Sequence, residues 1–393
     1  MSDELLKEEA EKKIFAAIEA GDTVLLRTTL ADQPNVNIVD ENLMTPLQHA
    51  AYKGNKEMVQ MLLDYGADPN LCKHQHNYTA LHFAGLSGNF EVCLALLMAG
   101  ARSGVTNAVN RTAAQMAAFV GHHSCVAIIN NYISKSEVDY YTVIQGTQTK
   151  PYLPPFLSES FHKLIMQINI HPVKVAINVS NFIGILEHLP EVKKVLELMC
   201  EKEMKRGPEN NEVMSFKFHY LSYIVGDLIT IESKHSSGED EKKLDIAEVF
   251  AKKILKPNKD GTLELLEGLL KECVKQFPFR ECTLFRQIVS TLTGKDPPTA
   301  LSVIASAING QRGFVDNVTV CQTCGEEKPN KKCSKCKAVQ YCDRTCQKLH
   351  WHWHKKVCAK LAQETATTQN ENKGTAVDAA ELSSGIQDLL VQN

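Results

Sequence analysis

The chain has 393 residues, enough for two or three domains, and its 44% hydrophobic and 23% charged residues are typical of a folded protein. Its formal net charge of -3 argues against a protein that binds nucleic acid along its whole length. The N-terminus is acidic, and no apolar run approaches the roughly 18 residues of a membrane span, so we expect an intracellular, soluble protein.

The first third of the chain contains a segment that repeats. The sequence "TPLQHAAYKGNKEMVQMLLDYGAD" from Thr45 matches "TALHFAGLSGNFEVCLALLMAGAR" from Thr79, 34 residues later, and a third copy begins at Thr112. A degenerate leading copy places Gly21 33 residues before Gly54. A period of this length is typical of solenoids in which each repeat is one pair of helices.

These segments resemble ankyrin repeats. Thr45 can cap a first helix that begins at Pro46, where the missing N–H of proline is no loss. His82 matches the family's histidine, whereas Gln48 and Gln115 stand at the equivalent positions of the other repeats.

The resemblance implies a solenoid that binds other proteins through its concave face and hairpin tips and has no catalytic cleft. The expected extent is an array over residues 1–135, with an N-terminal cap and clear repeats at about 45–78, 79–111 and 112–134.

The middle of the chain is predicted to be helical. A proline-containing linker over residues 136–157 includes "TKPYLPPFL", and residues 158–318 follow as a helical domain. The stretch "VMSFKFHYLSYIVGDLITI" alternates at first and then turns helical in pattern, so its structure stays open. We find no nucleophile elbow, phosphate-binding glycine loop or H-E-x-x-H motif, and the sequence assigns no chemistry to this domain.

Cysteines are concentrated near the C-terminus, where seven of the 13 lie between Cys321 and Cys358. Because disulfides are rare in a reducing compartment, such a cluster indicates a metal site. The pattern is C-x2-C-x8-C-x2-C-x5-C-x3-C-x7-H-x3-C, which supplies eight ligands. Eight ligands fill two tetrahedral zinc sites and leave no position for water, so both zinc ions are predicted to be structural.

Three histidines compete for the single histidine position of this pattern. His354 stands four residues before Cys358, so one helical face can present both to one ion. His350 stands four residues after Cys346 and is the alternative, whereas His352 has no partner at that spacing.

The cysteine pattern resembles the MYND-type zinc finger. The resemblance implies interleaved sites, in which one zinc is held by Cys321, Cys324, Cys342 and Cys346 and the other by Cys333, Cys336, His354 and Cys358. It also implies that the finger binds proline-containing peptides of the P-x-L-x-P type through Ser334, Gln347 and Trp351. The alternative for Trp351 is a core residue of the small zinc module.

The finger is also basic, with a net charge of +6 over residues 321–358. This charge could bind nucleic acid, although a solvated face or an acidic protein partner is favoured because the finger lacks a recognition helix.

The linker itself contains the pattern that MYND fingers are expected to bind. Pro151, Leu153 and Pro155 stand in P-x-L-x-P register, so one hypothesis places the linker in the chain's own MYND groove. The alternative is a rigid polyproline exit from the ankyrin array.

Together these features predict a mainly α-helical protein with an N-terminal ankyrin solenoid, a helical middle domain, a small two-zinc MYND finger over residues 319–358 and a disordered tail over residues 359–393. In the tail, Ile386, Leu389 and Leu390 could anchor a short amphipathic helix.

Three functions are compatible with these modules. A non-catalytic adaptor uses the array and the finger to bind different proteins. Lysine methyltransferases that carry a MYND finger inside a SET domain have an Asn-His motif and cysteines after the SET core, whereas this sequence has no Asn-His dipeptide and no cysteine after Cys358. A zinc-dependent nucleic-acid binder is the third possibility.

The order of modules resembles proteins that join ankyrin repeats to a MYND finger. This resemblance implies a cytoplasmic adaptor that delivers membrane signalling proteins such as cyclases to the primary cilium in Hedgehog-type signalling.

Overall fold

The computed structural model describes residues 3–32, 35–205, 210–235, 245–259, 261–310 and 319–374. The side chains of residues 3–8, 235 and 364–374 lie outside the description. No helix within these ranges is both long and apolar enough to cross a bilayer.

The N-terminal region is a stack of four helix pairs. The pairs are α1 (Asp3–Ala20) with α2 (Thr23–Ala31), α3 (Pro46–Tyr52) with α4 (Lys56–Asp64), α5 (Ala80–Ser87) with α6 (Phe90–Met98), and α7 (Ala113–Phe119) with α8 (His123–Asn131). The first helices stack on one another in the order α1, α3, α5 and α7, and one apolar core runs through all four pairs.

Each of the three clear repeats begins its first helix with the same cap. The threonines at the helix starts form capping boxes with the residues three positions later, which are Gln48, His82 and Gln115. The His82 ring is kept neutral because burial lowers its pKa, and its Nε2 lies 3.0 Å from the carbonyl of Arg111 in the next hairpin. Gln48 makes the equivalent bond, since its Nε2 donates to the carbonyl of Tyr78 at 2.9 Å. Gln48 therefore fulfils the role of the family's histidine, whereas the bonds of Gln115 are those of its own capping box.

Close approach of the helices depends on small residues. A Cβ at Gly85 would lie 2.9 Å from the carbonyl oxygen of Ala113, so α5 and α7 can pack at this distance only without a side chain there.

The middle region is one helical domain with a single core. Its helices are α9 (Lys135–Asp139), α10 (Ser158–Met166), α11 (Pro172–Asn181), α12 (Leu189–Met204), α13 (Glu212–His235), α14 (Ile246–Ile254), α15 (Glu264–Lys275), α16 (Thr283–Leu292) and α17 (Ala300–Asn309). Short 3-10 turns lie at Tyr140–Thr142, Pro155–Leu157 and Leu186–His188. The stretch that the sequence left open is the long central helix α13, which packs against α11, α12 and α14 to α17.

The segment predicted as a linker is packed into this domain. Val138, Tyr141, Leu153 and Leu157 are all buried in the domain's core, and the N–H of Leu153 donates to the carbonyl of Tyr141 at 3.0 Å. The ankyrin stack therefore joins the middle domain through ordered, packed residues.

The last ankyrin helix also rests on the middle domain. Asn131 of α8 donates from Nδ2 to the Asn309 side chain of α17 at 3.2 Å, and Ile133 is part of the middle domain's core. The middle domain thus covers the end of the stack that would otherwise expose apolar surface.

The C-terminal module has two short antiparallel strands, β1 (Lys331–Lys332) and β2 (Gln340–Tyr341), and the helix α18 (Arg344–Gly374). The helix continues past Cys358, so the first part of the predicted tail, up to Gly374, is helical. The remainder of that tail, including Ile386, Leu389 and Leu390, lies outside the described residues.

Candidate metal centre

The eight predicted zinc ligands form two separate clusters. One contains Cys321, Cys324, Cys342 and Cys346, and the other contains Cys333, Cys336, His354 and Cys358. Within each cluster all four donor atoms lie within 4.8 Å of one another. All of them are buried except Cys342, which is half-buried.

The spacing of the donor atoms fits tetrahedral zinc. In the first cluster, Cys324 Sγ lies 3.6 Å from Cys342 Sγ and 3.7 Å from Cys346 Sγ. In the second, Cys333 Sγ lies 3.8 Å from Cys358 Sγ and 3.3 Å from His354 Nε2. A tetrahedral zinc ion with Zn–S bonds of about 2.3 Å separates its sulfur ligands by about 3.8 Å. The two clusters are therefore the ligand sets of two structural zinc ions, whose chemistry here is to cross-link the module.

Two similar turns present the paired cysteines. The N–H of Gly325 donates to the carbonyl of Cys321 at 2.9 Å, and the N–H of Lys337 donates to the carbonyl of Cys333 at the same distance. Gly325 and Lys337 both have positive φ angles, of 66° and 56°. This left-handed residue after each C-x2-C segment turns the chain back so that both thiols face the same ion.

The helix α18 supplies three of the four remaining ligands, and the fourth, Cys342, lies between β2 and this helix. Asp343 caps it by accepting the N–H of Cys346 at 2.8 Å. Cys346, His354 and Cys358 follow at helical spacing on one side, so a single helix contributes to both clusters.

The three histidines have different environments. His354 is buried, and its Nε2 belongs to the second cluster, as predicted from the spacing. The His350 ring stacks against it at 5.8 Å and hydrogen-bonds to the Tyr341 hydroxyl at 3.0 Å through Nδ1. Burial lowers the pKa of His350 to about 4, so this ring is a neutral support. His352 is exposed.

The finger does not stand apart from the rest of the chain. Leu349 of α18 is buried in the core of the middle domain, and Trp353 donates from Nε1 to the carbonyl of Lys252 in α14 at 3.1 Å. Lys348 also forms an ion pair with Glu248 of α14 at 2.9 Å. These residues were missed in the sequence, although Leu349 and Trp353, four residues apart, are an apolar pair beside the row of zinc ligands.

The first zinc cluster is held by the middle domain as well. Asn169 donates from Nδ2 to the carbonyl of Cys324 at 3.0 Å and to Glu326 at 2.8 Å. The His171 ring packs under Gly325, where a Cβ would lie 3.3 Å from it. Burial lowers the pKa of His171 to about 4, so the ring stays neutral, and its Nδ1 accepts the N–H of Val173 at 3.2 Å. Two separate contacts therefore orient the finger on the middle domain.

Comparison with known proteins agrees with this architecture. The ankyrin-repeat family model, in three copies, matches residues 14–107, and the MYND-finger model matches residues 321–358. Dauer abnormal formation protein 25 of Caenorhabditis elegans is 32% identical over 92% of this chain and 94% of its own length. The chain belongs to the family that joins ankyrin repeats to a MYND finger.

Other similarities cover only part of the chain. The E3 ubiquitin-protein ligase KEG of Arabidopsis thaliana is 39% identical over 20% of this chain and 5% of its own length. Ankyrin repeat and SAM domain-containing protein 6 of Rattus norvegicus is 36% identical over 24% of this chain and 11% of its own. Because these matches cover a quarter of this chain or less, they say nothing about the function of the whole chain.

The residues that the MYND resemblance assigns to peptide binding lie at the surface. Ser334 is exposed, Gln347 is half-buried, and the Trp351 side chain is 45% exposed. The alternative was that Trp351 fills the core of the zinc module. Its ring does lie 5.8 Å from the His354 ring, but its exposure is greater than that of a core residue. Peptide binding by Ser334, Gln347 and Trp351 stays a prediction.

The internal-ligand hypothesis is wrong for this structure. Leu153, the central residue of the Pro151, Leu153 and Pro155 motif, is fully buried in the core of the middle domain. Its side chain fills a packing position and cannot enter a groove of the finger unless the domain opens.

Proposed function

We propose a function in protein binding, because ankyrin repeats and a MYND finger are both modules that bind proteins. We propose that this chain is a non-catalytic adaptor that binds one partner through the ankyrin array and a proline-containing peptide of the P-x-L-x-P type through Ser334, Gln347 and Trp351. A catalytic role for the zinc ions is disfavoured because each ligand set supplies four protein donors and so fills a tetrahedral site.

The proposal for the finger rests on how the side chains of α18 are distributed around the helix. The zinc ligands form a row, and Leu349 and Trp353 pack on the middle domain on one side of it. Gln347 and Trp351 lie on the other side, also four residues apart, and Trp351 stays exposed. An exposed tryptophan beside an amide, on a helix that two zinc ions hold rigid, suits recognition of an extended peptide.

The fixed placement of the modules supports an adaptor that holds two partners at a defined separation. The finger is anchored by α14 and by Asn169, and the array is anchored by α17. Because both modules rest on one packed domain, the two bound partners would be held at a high effective concentration.

The family resemblance also suggests where in the cell the protein acts and what it delivers. We infer that the chain acts in the cytoplasm and delivers membrane signalling proteins, cyclases among them, to the primary cilium, with a connection to Hedgehog-type signalling. What supports this is the shared order of modules along the chain.

The test for the finger uses a peptide of this chain as the probe. A fluorescein-labelled peptide of residues 147–159 carries the P-x-L-x-P pattern and exposes Leu153 once it is cut from the core. We expect zinc-loaded full-length protein to bind it, and Trp351→Ala and Gln347→Ala to weaken binding about tenfold or more. His352→Ala, an exposed neighbour on the same helix, is the matched control and should leave affinity unchanged. Equal binding by Trp351→Ala and the unmodified chain, or by a peptide with Leu153→Ala, would refute the assignment.

A further inference from the structure

The first helices of the ankyrin repeats expose a row of large apolar side chains. Tyr52, Leu86 and Phe119 occupy equivalent positions, one repeat apart, near the C-terminal ends of α3, α5 and α7. Tyr52 is 58% exposed and Phe119 is 78% exposed, whereas Leu86 is half-buried, so packing within the stack does not explain the two aromatic rings. We call this row the inner strip. Aligned exposed apolar groups of this size are typical of a surface that binds another protein.

A second row of apolar and aromatic groups lies beside the strip, one helical turn earlier on the same three helices. His49, Phe83 and Met116 stand three residues before the members of the strip. The Tyr52 ring meets Phe83 edge-on at 5.9 Å. The exposed ring of Tyr52 is thus backed by the buried ring of Phe83.

The strip ends in a group of carboxylates at the N-terminal end of the array. The residue equivalent to Tyr52 in the leading repeat is Glu19. Beside it lies a cavity of about 460 Å³ that contains the side chains of Phe15 and His49, with the two rings 5.4 Å apart. Its charged lining residues are Glu11, Glu19, Asp40 and Glu41 together with Lys12. Acidic groups therefore predominate at this end.

Asp40, which lines this cavity, stabilises the first hairpin. Its carboxylate accepts the N–H groups of Asn42 and Met44 and pairs with His49 at 2.9 Å. Although burial alone would raise the pKa of Asp40, these bonds lower it, so the carboxylate stays charged and holds the first hairpin in place. Glu19 and Glu41 are exposed, and the Glu19 carboxylate lies 3.9 Å from Lys53 Nζ in a surface ion pair that an incoming basic group has to displace.

The tip of the first hairpin adds an apolar group at the same end. Leu43 has a φ of 60° and is 45% exposed, whereas the equivalent tip positions of the next two hairpins are Asn77 and Asn110, with φ angles of 54° and 56°. Asparagine tolerates this left-handed conformation better than leucine does. The array thus keeps a strained and exposed leucine where its other repeats have the residue that suits the backbone.

We propose that the inner face of the array, from Leu43 and the carboxylates to Phe119, binds a protein segment with lysine or arginine at one end and apolar side chains along the rest. The basic end would enter the cavity between Glu19 and Glu41, and the apolar side chains would lie on the inner strip. Charge complementarity selects this partner, because an acidic peptide, a nucleic acid or an anionic membrane would be repelled at the carboxylate end. The proposal rests on the adaptor function proposed above and names the class of partner for its ankyrin module.

The test is selection of random peptides displayed on phage with zinc-loaded full-length protein. We expect the enriched peptides to combine lysine or arginine with apolar residues. Labelled copies should bind about tenfold more weakly to the Glu19→Lys and Glu41→Lys double variant and to Phe119→Ala. Leu43→Asn should also weaken binding while it raises, or leaves unchanged, the thermal midpoint of the array.

Two controls separate this surface from others. Met98→Ala removes an apolar group that is 72% exposed at the end of α6, the second helix of its repeat, and should not change affinity. Trp351→Ala removes the proposed peptide contact of the finger and should not change it either.

The outcomes distinguish this inference from the adaptor function. Enriched peptides without positive charge, or basic peptides that bind the double variant as well as the unmodified chain, would overturn the inference. Peptides that depend on Trp351 alone would also overturn it and leave the finger's function standing. If no enriched peptide depends on either surface, the inference and the adaptor function both fail.

Discussion

The structure buries an amine without a partner at the centre of the middle domain. Lys217 of α13 is completely buried, and its Nζ has no hydrogen-bond partner among the residues that the structure describes. Burial lowers its pKa from 10.5 to about 7. We predict that Lys217→Met, which fills a similar volume without a charge, stabilises the protein.

The magnitude follows from linkage. The folded pKa lies below the unfolded one, so between about pH 7 and 10.5 the unfolded chain binds a proton that the folded chain does not. The free energy of unfolding therefore rises with pH across this window, by at most about 1.4 kcal/mol per pH unit and about 5 kcal/mol in total. Below pH 7 the cost of the buried amine is fully present. Because buried charges relax in real proteins, we expect Lys217→Met to add about 2–4 kcal/mol at pH 7 and progressively less towards pH 10.

The assay is urea unfolding of the zinc-loaded chain between pH 7 and pH 10. Unfolding is monitored by hydrogen exchange of peptides from α13. The variant and the unmodified chain are compared by the difference in their free energies of unfolding, because protonation of the zinc ligands affects both alike. Lys194→Met, an exposed lysine on the adjacent helix α12, is the matched control and should change stability little. If the gain from Lys217→Met is absent, or does not decline as the pH rises, the amine is not buried as a costly ammonium group and the reasoning is refuted.

Three further predictions concern packing and metal. Gly85→Leu should destabilise the ankyrin stack by several kcal/mol, about 3 or more, because its Cβ would meet the Ala113 carbonyl, and thermal unfolding would show a lower midpoint. Leu153→Ala should cost about 2–5 kcal/mol in urea unfolding, as for a core residue, and an unchanged midpoint would mean that this segment is not packed. Chelation of zinc should remove hydrogen-exchange protection from residues 344–358 and also from α14, which loses Leu349 and Trp353, while α3 to α6 stay protected. Protection of α14 that survives complete zinc removal, verified by elemental analysis, would contradict the docking of the finger.

The local parts of this fold could be read from the sequence because they depend on residues near one another in the chain. The repeat period, the threonine at each helix start and the ligand spacing are set by helix geometry and by the tetrahedral demand of zinc. The spacing therefore identified His354 among three histidines. Gln48 was harder to interpret, because its equivalence to histidine depends on a carbonyl in the next hairpin.

Only the tertiary structure could decide which surfaces meet. The proline-containing segment had the composition of a linker, yet Leu153 lies in a core formed by helices far away in sequence. Trp351 and Trp353 are two residues apart with similar neighbours, and one is exposed while the other is packed because α14 covers only one side of α18. Lys217 had no marker of burial in its sequence context. The chain's own periodicity thus determined its modules and metal ligands, whereas the docking of those modules was decided by long-range burial of apolar surface, which neighbouring residues do not encode.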